Sequence, residues 1–200
     1  LMRSVYGRST PRFMVVLRNP TERYYQTFKD YGHYSRQYGG GMDGFIAWAK
    51  EQIASFHKCL ATPTYDLRTC TLYFESLGPE QEGVFYHADQ LIKGMYGVFV
   101  EDWIKAFPRE SFYFIKAEEY YSSPEEVLRG SIDHLGLADP SDQVIDQMLK
   151  FDRGNNAKPE WAKDLPEVMS QEARRLLDDF YAPYNKMLAD ILDDDRFLWQ

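Results

Sequence analysis

The stretch that most restricts this chain lies between Phe13 and Arg23. Phe13-Met14-Val15-Val16-Leu17 is a continuous apolar run, rich in β-branched residues and preceded by Pro11. It predicts a strand buried on both faces. The run stops at Arg18-Asn19-Pro20. Thr21 follows, and then Tyr24, Phe28 and Tyr31 recur at helical spacing until Gly32. A strand, a tight turn and a helix in succession place Arg18 at the carboxyl end of the strand, beside the helix N-terminus. In open α/β sheets that is where ligands bind, and helix N-termini favour anions.

Charge supports a small anion as the ligand. The net charge is −8, which argues against nucleic acid as a partner. Its distribution is uneven, with Arg3, Arg8, Arg12, Arg18 and Arg23 near the start and Asp190, Asp193, Asp194 and Asp195 near the end. A basic entry segment on an acidic protein fits a compact anion site better than a broad polyanion surface. Aromatic residues make up 16% of the chain and hydrophobic residues 44%, which excludes a disordered tail. Two hundred residues suffice for one ordinary globular domain. No apolar run approaches the roughly 18 residues of a membrane span, and no signal-peptide pattern opens the chain. Leu1 is not a natural initiator, so the sequence reads as an interior piece.

Further along, Tyr38-Gly39-Gly40-Gly41 predicts a break, and Phe45 to Phe56 a short amphipathic helix. Leu91, Met95, Phe99 and Trp103 predict one strong helix from Asp89 to near Phe107-Pro108. Ser111 to Ala117 predicts a second buried strand. Ser123-Pro124-Glu125-Glu126 supplies an N-cap, a proline at the first helical position and a capping-box Glu. Gly136 stops the helix they open. Another helix follows Asp139-Pro140, and the last runs from about Ser170 to Leu192, with a kink expected at Pro183. Two buried strands separated by helices suggest a parallel sheet. Cys59 and Cys70 show neither a CxxC spacing nor nearby His–Cys clusters, which argues against zinc. On residue pattern alone they are two buried thiols or a short disulfide loop.

Residues 11–31, PRFMVVLRNPTERYYQTFKDY, resemble the 3′-phosphate-binding segment of sulfotransferases that use 3′-phosphoadenosine 5′-phosphosulfate (PAPS). In that family a buried strand runs into Arg-Asp/Asn-Pro-x-x-Arg and a helix. The stretch GMYGVFVEDWIKAFPRESFYFIKAEEYYSSPEEVLRGSIDHLGL, beginning at Gly94, is similar to the family's middle, including its Glu-containing loop. Phe56 to Cys59, Leu67-Arg68-Thr69-Cys70, Asp179 to Asn185 and Phe197-Leu198-Trp199 resemble the N-acetylgalactosamine 4-sulfate 6-O-sulfotransferase branch of the carbohydrate sulfotransferases. The similarity runs from about Phe13 to Trp199.

This resemblance implies an α/β, P-loop-like sulfotransferase fold, a parallel sheet flanked by helices, with residues 1–200 the C-terminal portion of a single domain. It implies PAPS as sulfate donor, a carbohydrate acceptor such as a glycosaminoglycan, and a Golgi lumen location. There a Cys59–Cys70 disulfide would be stable. The chain's acidity leaves a small or neutral acceptor open as well. Arg18 carries over as the clamp on the 3′-phosphate, a task suited to a guanidinium, with Arg23 as a second contact or a brace of the turn. Gln26 stands where the family places a Ser that helps hold the phosphate. Asn155, Asn156 and Lys158, in GNNAKPEW, resemble a late basic loop that folds back over it, and Trp161 anchors that loop. His87 and Tyr96 are candidate acceptor contacts, although Tyr96 and Trp103 also read as core. The family's Lys-x-Gly-Thr-Thr loop and the base that follows it are absent from this sequence, so no catalytic residue is assigned. The missing strands are expected in an upstream segment. The rival expectation is a non-catalytic relative that holds a nucleotide or a protein.

Overall fold

A computed structural model describes residues 2–6, 10–73, 88–150 and 166–199. The chain divides into two compact units. One is formed by Leu1–Asn19 with Asp102–Ala157, the other by Pro20–Glu101 with Lys158–Gln200.

The first unit is built on β1 (Phe13–Leu17) and β2 (Phe112–Lys116), which pair in parallel with Phe13 opposite Phe112 and Leu17 opposite Lys116. Aromatic side chains cluster at its start. The Phe13 ring stacks on Phe112 at 4.8 Å and meets Phe107 and Trp103 at 4.9 and 5.4 Å. Tyr6, from the short helix α1 (Met2–Tyr6), meets Phe13 edge-on. The expected parallel pairing is present, but β1 is not buried on both faces. Met14 and Val16 are 48% and 63% exposed, because among the described residues the sheet has two strands and that face is open.

Helix α2 (Pro20–Asp30) opens the second unit, and Pro20, read from the sequence as part of the turn, is its first residue. It ends at Asp30 rather than Gly32. Gly32 instead begins α3 (Gly32–Tyr38), which stops at the glycine break, where Gly39 and Gly41 take φ of +85° and +84°. Helix α4 (Gly41–Leu60) exceeds the expected Phe45–Phe56 core at both ends. A disulfide joins its Cys59 to Cys70 of α5 (Leu67–Leu72), and both cysteines are fully buried. Asp66 caps α5 by accepting from the Thr69 N–H at 2.7 Å.

Around α4 lies the main core. Tyr24 stacks on Trp48 at 4.1 Å, Phe28 and Phe45 close over them, and Leu177, Phe180 and Tyr181 of α11 (Gln171–Leu192) complete it. Polar ties reinforce the α2–α11 contact. Thr21 donates to Asp178 at 2.7 Å, and Arg174 pairs with Glu22. Ser170 caps α11 by accepting from the Ala173 N–H at 3.2 Å, and the helix continues past Pro183 to Leu192.

The single helix expected from Asp89 to Phe107 is two. Helical residues 88–92 (α6) end at a turn, and α7 (Tyr96–Ala106) starts afresh. The cause is a close approach. A Cβ on Gly94 would lie 2.7 Å from Cε1 of Tyr181, so only glycine admits the ring. The Tyr181 hydroxyl then donates to the Leu91 carbonyl at 3.0 Å, which the turn leaves for it to share. The restart also shifts the helical phase. Trp103, expected in the core, is 37% exposed, and the buried positions of α7 are Gly97, Val98 and Val100.

In the first unit, β2 leads directly into α8 (Ala117–Ser122), where a loop was expected. Helices α9 (Pro124–Leu135) and α10 (Asp142–Leu149) follow as read. Ser123 makes no side-chain cap to α9. Its N–H closes α8 by donating to the Glu119 carbonyl at 2.7 Å, so its backbone conformation serves the helix before it. Gly136 ends α9 in the left-handed region with φ +68°, and Arg12 donates to the His134 carbonyl there at 2.6 Å.

Gly94→Ala is expected to destabilise the second unit by about 1–3 kcal/mol through overpacking. Chemical denaturation would measure it, and the combination with Tyr181→Leu should cost less than the sum. A second expectation concerns pH. Burial, aided by Glu167 and Glu22, pushes Tyr25 up to about 12, and burial with Glu51 does the same for Tyr38. Tyr24, Tyr34 and Tyr181 are raised as well, chiefly by burial. An unfolded phenol ionises near pH 10. The tyrosines' contribution is therefore complete below about pH 10 and lost as pH rises through the folded values. The part of the phenolate absorbance that comes from these five tyrosines should appear only together with the loss of near-UV circular dichroism. Ionisation of all 15 tyrosines near pH 10 with the fold intact would contradict it.

Candidate functional site

Arg18 and Asn19 are the last residues of the first unit, and the chain enters the second at Pro20. Each unit holds part of the predicted site.

In the first unit, β1 and β2 end in register at Leu17 and Lys116. Arg18 therefore leaves the sheet at the carboxyl ends of two parallel strands, half-buried, as the sequence suggests. The turn behind it is pinned. The Asn19 N–H donates to Glu118 Oε1 at 2.7 Å, and Glu118 lies in the first turn of α8, just beyond β2. Sequence reasoning singled out no role for Glu118. Its sequence signals are its place just after the second buried strand and within the Glu-containing stretch noted above.

In the second unit, Arg23 is turned to structural work. Its Nη2 donates to the Gln90 carbonyl, and the guanidinium lies close enough to the Tyr181 hydroxyl to favour its ionised form. Its Nε is buried with no partner among the described residues. The Gln90 contact ties α2 to α6. Gln26 is half-buried, and its Nε2 donates to Asp30 Oδ1 at 2.7 Å, one turn along its own helix. The amide is thus engaged, and it would have to exchange this partner to reach a phosphate. Tyr96 packs half-buried with its ring 6.0 Å from that of Trp199, and it lies near the Tyr181 hydroxyl. This is a core environment. Asn155, Asn156, Lys158 and Trp161 of the basic loop, and His87, lie outside the described residues.

Two further contacts on α2 were not foreseen. Tyr25 donates to the Pro166 carbonyl at 2.6 Å, and Lys29 lies 3.6 Å from Glu167 and over the Tyr25 ring. Together they fasten the start of the segment leading into α11 onto the helix that carries Gln26. Among the described residues, no group of three His, Cys, Asp or Glu side chains is placed to hold a metal ion. No described helix is long and apolar enough to cross a membrane.

A strand ending in arginine, a second strand parallel to it and helices around both define a class already known. The crystal structure of a sulfotransferase from Alicyclobacillus acidocaldarius superposes with a TM-score of 0.53, covering 97% of this chain and 58% of that one at 19% identity. The fold is a sulfotransferase fold. In sequence, the chain is 29% identical over 189 residues to carbohydrate sulfotransferase 15 of Rattus norvegicus, covering 94% of this chain and 31% of that protein. It is 27% identical over 148 residues to carbohydrate sulfotransferase 15 of Nototodarus sloanii, covering 74% of this chain and 86% of that protein. In sequence the chain is thus similar to carbohydrate sulfotransferases. It spans about a third of the length of the rat protein, and no protein-family model matches it.

Arg23→Ala should cost about 1–3 kcal/mol of stability, because the Gln90 carbonyl and the Tyr181 hydroxyl lose a charged partner in a buried setting. Arg23→Lys should restore part of it. A denaturant titration tests this. Unchanged stability with lost nucleotide affinity would move Arg23 to the ligand.

Proposed function

We infer that this chain carries the 3′-phosphate grip of an enzyme that transfers a sulfuryl group from PAPS to a carbohydrate hydroxyl. The observation that carries the reading is Arg18. It stands half-buried at the carboxyl end of a parallel strand pair, on a turn held by a carboxylate, with a helix beginning two residues later at Pro20. A guanidinium there offers a planar fork that matches a phosphate. The carbohydrate sulfotransferase relatives support the acceptor class and the reaction. In that reaction an acceptor hydroxyl would attack sulfur in line as the nucleotide's 5′-phosphate leaves. The protein's task would be to position the donor and stabilise the leaving charge. The leaving-group Lys and the base are assigned to no residue here, since the 200 residues contain no Lys-x-Gly-Thr-Thr.

The branch resembling N-acetylgalactosamine 4-sulfate 6-O-sulfotransferases is proposed for the acceptor, and the Golgi lumen for the location. The buried Cys59–Cys70 disulfide supports an oxidising compartment.

Arg18→Ala should weaken binding of adenosine 3′,5′-bisphosphate by about 1.5–3 kcal/mol, roughly tenfold to a hundredfold. Arg18→Lys should recover only part, because an ammonium keeps the charge and loses the fork. Calorimetric titration with adenosine 5′-monophosphate as control should show little change on mutation. Equal losses for both ligands would assign Arg18 a structural role and remove the reading.

A further inference from the structure

The geometry points to Glu118 as the residue that positions Arg18 for the nucleotide's 3′-phosphate, an inference that rests on the function proposed above. The Glu118 carboxylate accepts the Asn19 N–H at 2.7 Å in a part-buried setting. That length falls in the charge-assisted range. The bonded group is well chosen. The peptide unit between Arg18 and Asn19 is planar, so holding the Asn19 N–H fixes the plane that also contains the Arg18 carbonyl, and with it ψ of Arg18. On the other side, Asn19 precedes Pro20, which restricts the Asn19 backbone as well. Proline has no N–H of its own, so Asn19 provides the backbone donor that follows Arg18 in the turn.

Upstream, Arg18 is fixed by the ladder. Leu17 is opposite Lys116 and buried, with 7% exposure. Arg18 thus springs from a backbone held on one side by the sheet and on the other by a carboxylate. Glu118 itself is set by the partner strand, since it lies two residues past Lys116 in the first turn of α8. The parallel register therefore brings holder and held together from positions 99 residues apart. An acidic group near an anion site would ordinarily oppose binding. Here one carboxylate oxygen is engaged by a backbone donor, and its effect is to aim the guanidinium before the ligand arrives. Glu118 touches neither donor nor acceptor in this account and is a positioning residue.

Binding of adenosine 3′,5′-bisphosphate and of adenosine 5′-monophosphate would be compared in the full-length protein, with thermal unfolding followed in parallel. Glu118→Ala should weaken the bisphosphate about fivefold to twentyfold and leave the monophosphate within about twofold. Glu118→Gln keeps a carbonyl acceptor at the same reach and should stay within about threefold of wild type for both. Glu118→Asp keeps the charge but draws the acceptor back by one methylene, so it should show the selective loss. This pair also serves if Glu118→Ala does not fold. In an Arg18→Ala background the Glu118 substitutions should have almost no further effect, because they act through that side chain. Equal weakening of both ligands, no weakening at all, or a loss undiminished in the Arg18→Ala background would each overturn the proposal. If Arg18→Ala affects the bisphosphate and Glu118→Ala does not, the positioning role fails while the functional reading stands. If Arg18→Ala has no effect, both fail.

Discussion

Parallel pairing of Phe13–Leu17 with Phe112–Lys116 is the constraint on which the remaining structure depends. Parallel strands cannot be joined by a hairpin, and the chain must return to its starting edge by a crossover. Here the crossover supplies much of a second core, which α11 completes. Tyr24, Phe28, Phe45, Trp48, Leu91 and Tyr181 belong to that core and lie in the second compact unit. The pairing also decides which residues meet at the strand ends. It ends both strands in one row, so the residues leaving them, Arg18 from β1 and Glu118 beyond β2, belong to one neighbourhood despite their distance in sequence.

Much of this was legible because its causes are local. An apolar run ended by Arg-Asn-Pro reads as a strand and turn from a handful of residues. Pro124 at a helix start and Gly136 at its end act through their own backbones, and both behave as written. What could not be read depends on distant partners. The break at Gly94 exists because a ring on α11 occupies the space of a Cβ, and nothing near Gly94 announces Tyr181. The misplacement of Trp103 follows from it, since periodicity carried across an unseen break loses its phase. Ser123 holds the N-cap position as read, but its side chain makes no cap, for a different reason. It has the right side chain, but its backbone is already committed to closing the preceding helix.

For the candidate site, the sequence named Arg18 and its strand but not the Glu118 contact to the residue after it. Arg18 was accessible to motif reasoning because its neighbours are consecutive. Arg23, in the same motif, donates to the Gln90 carbonyl, a partner 67 residues away that no local pattern announces. Gln26, which departs from the family's serine, is engaged with Asp30.

The position of the disulfide has a kinetic consequence. Thiol exchange needs a nucleophile in line with one sulfur atom, and both Cys59 and Cys70 are wholly shielded from solvent. No reductant can reach the bond in the closed unit, whatever its potential. The bond's lifetime under reducing conditions is thus set by how often the α4–α5 region opens. Added reductant in excess would cease to matter, and the appearance of free thiols would count openings of the core. The same shielding orders the steps of folding. The two sulfurs must be joined before the aromatic core shuts over them, or the oxidant in turn is kept out.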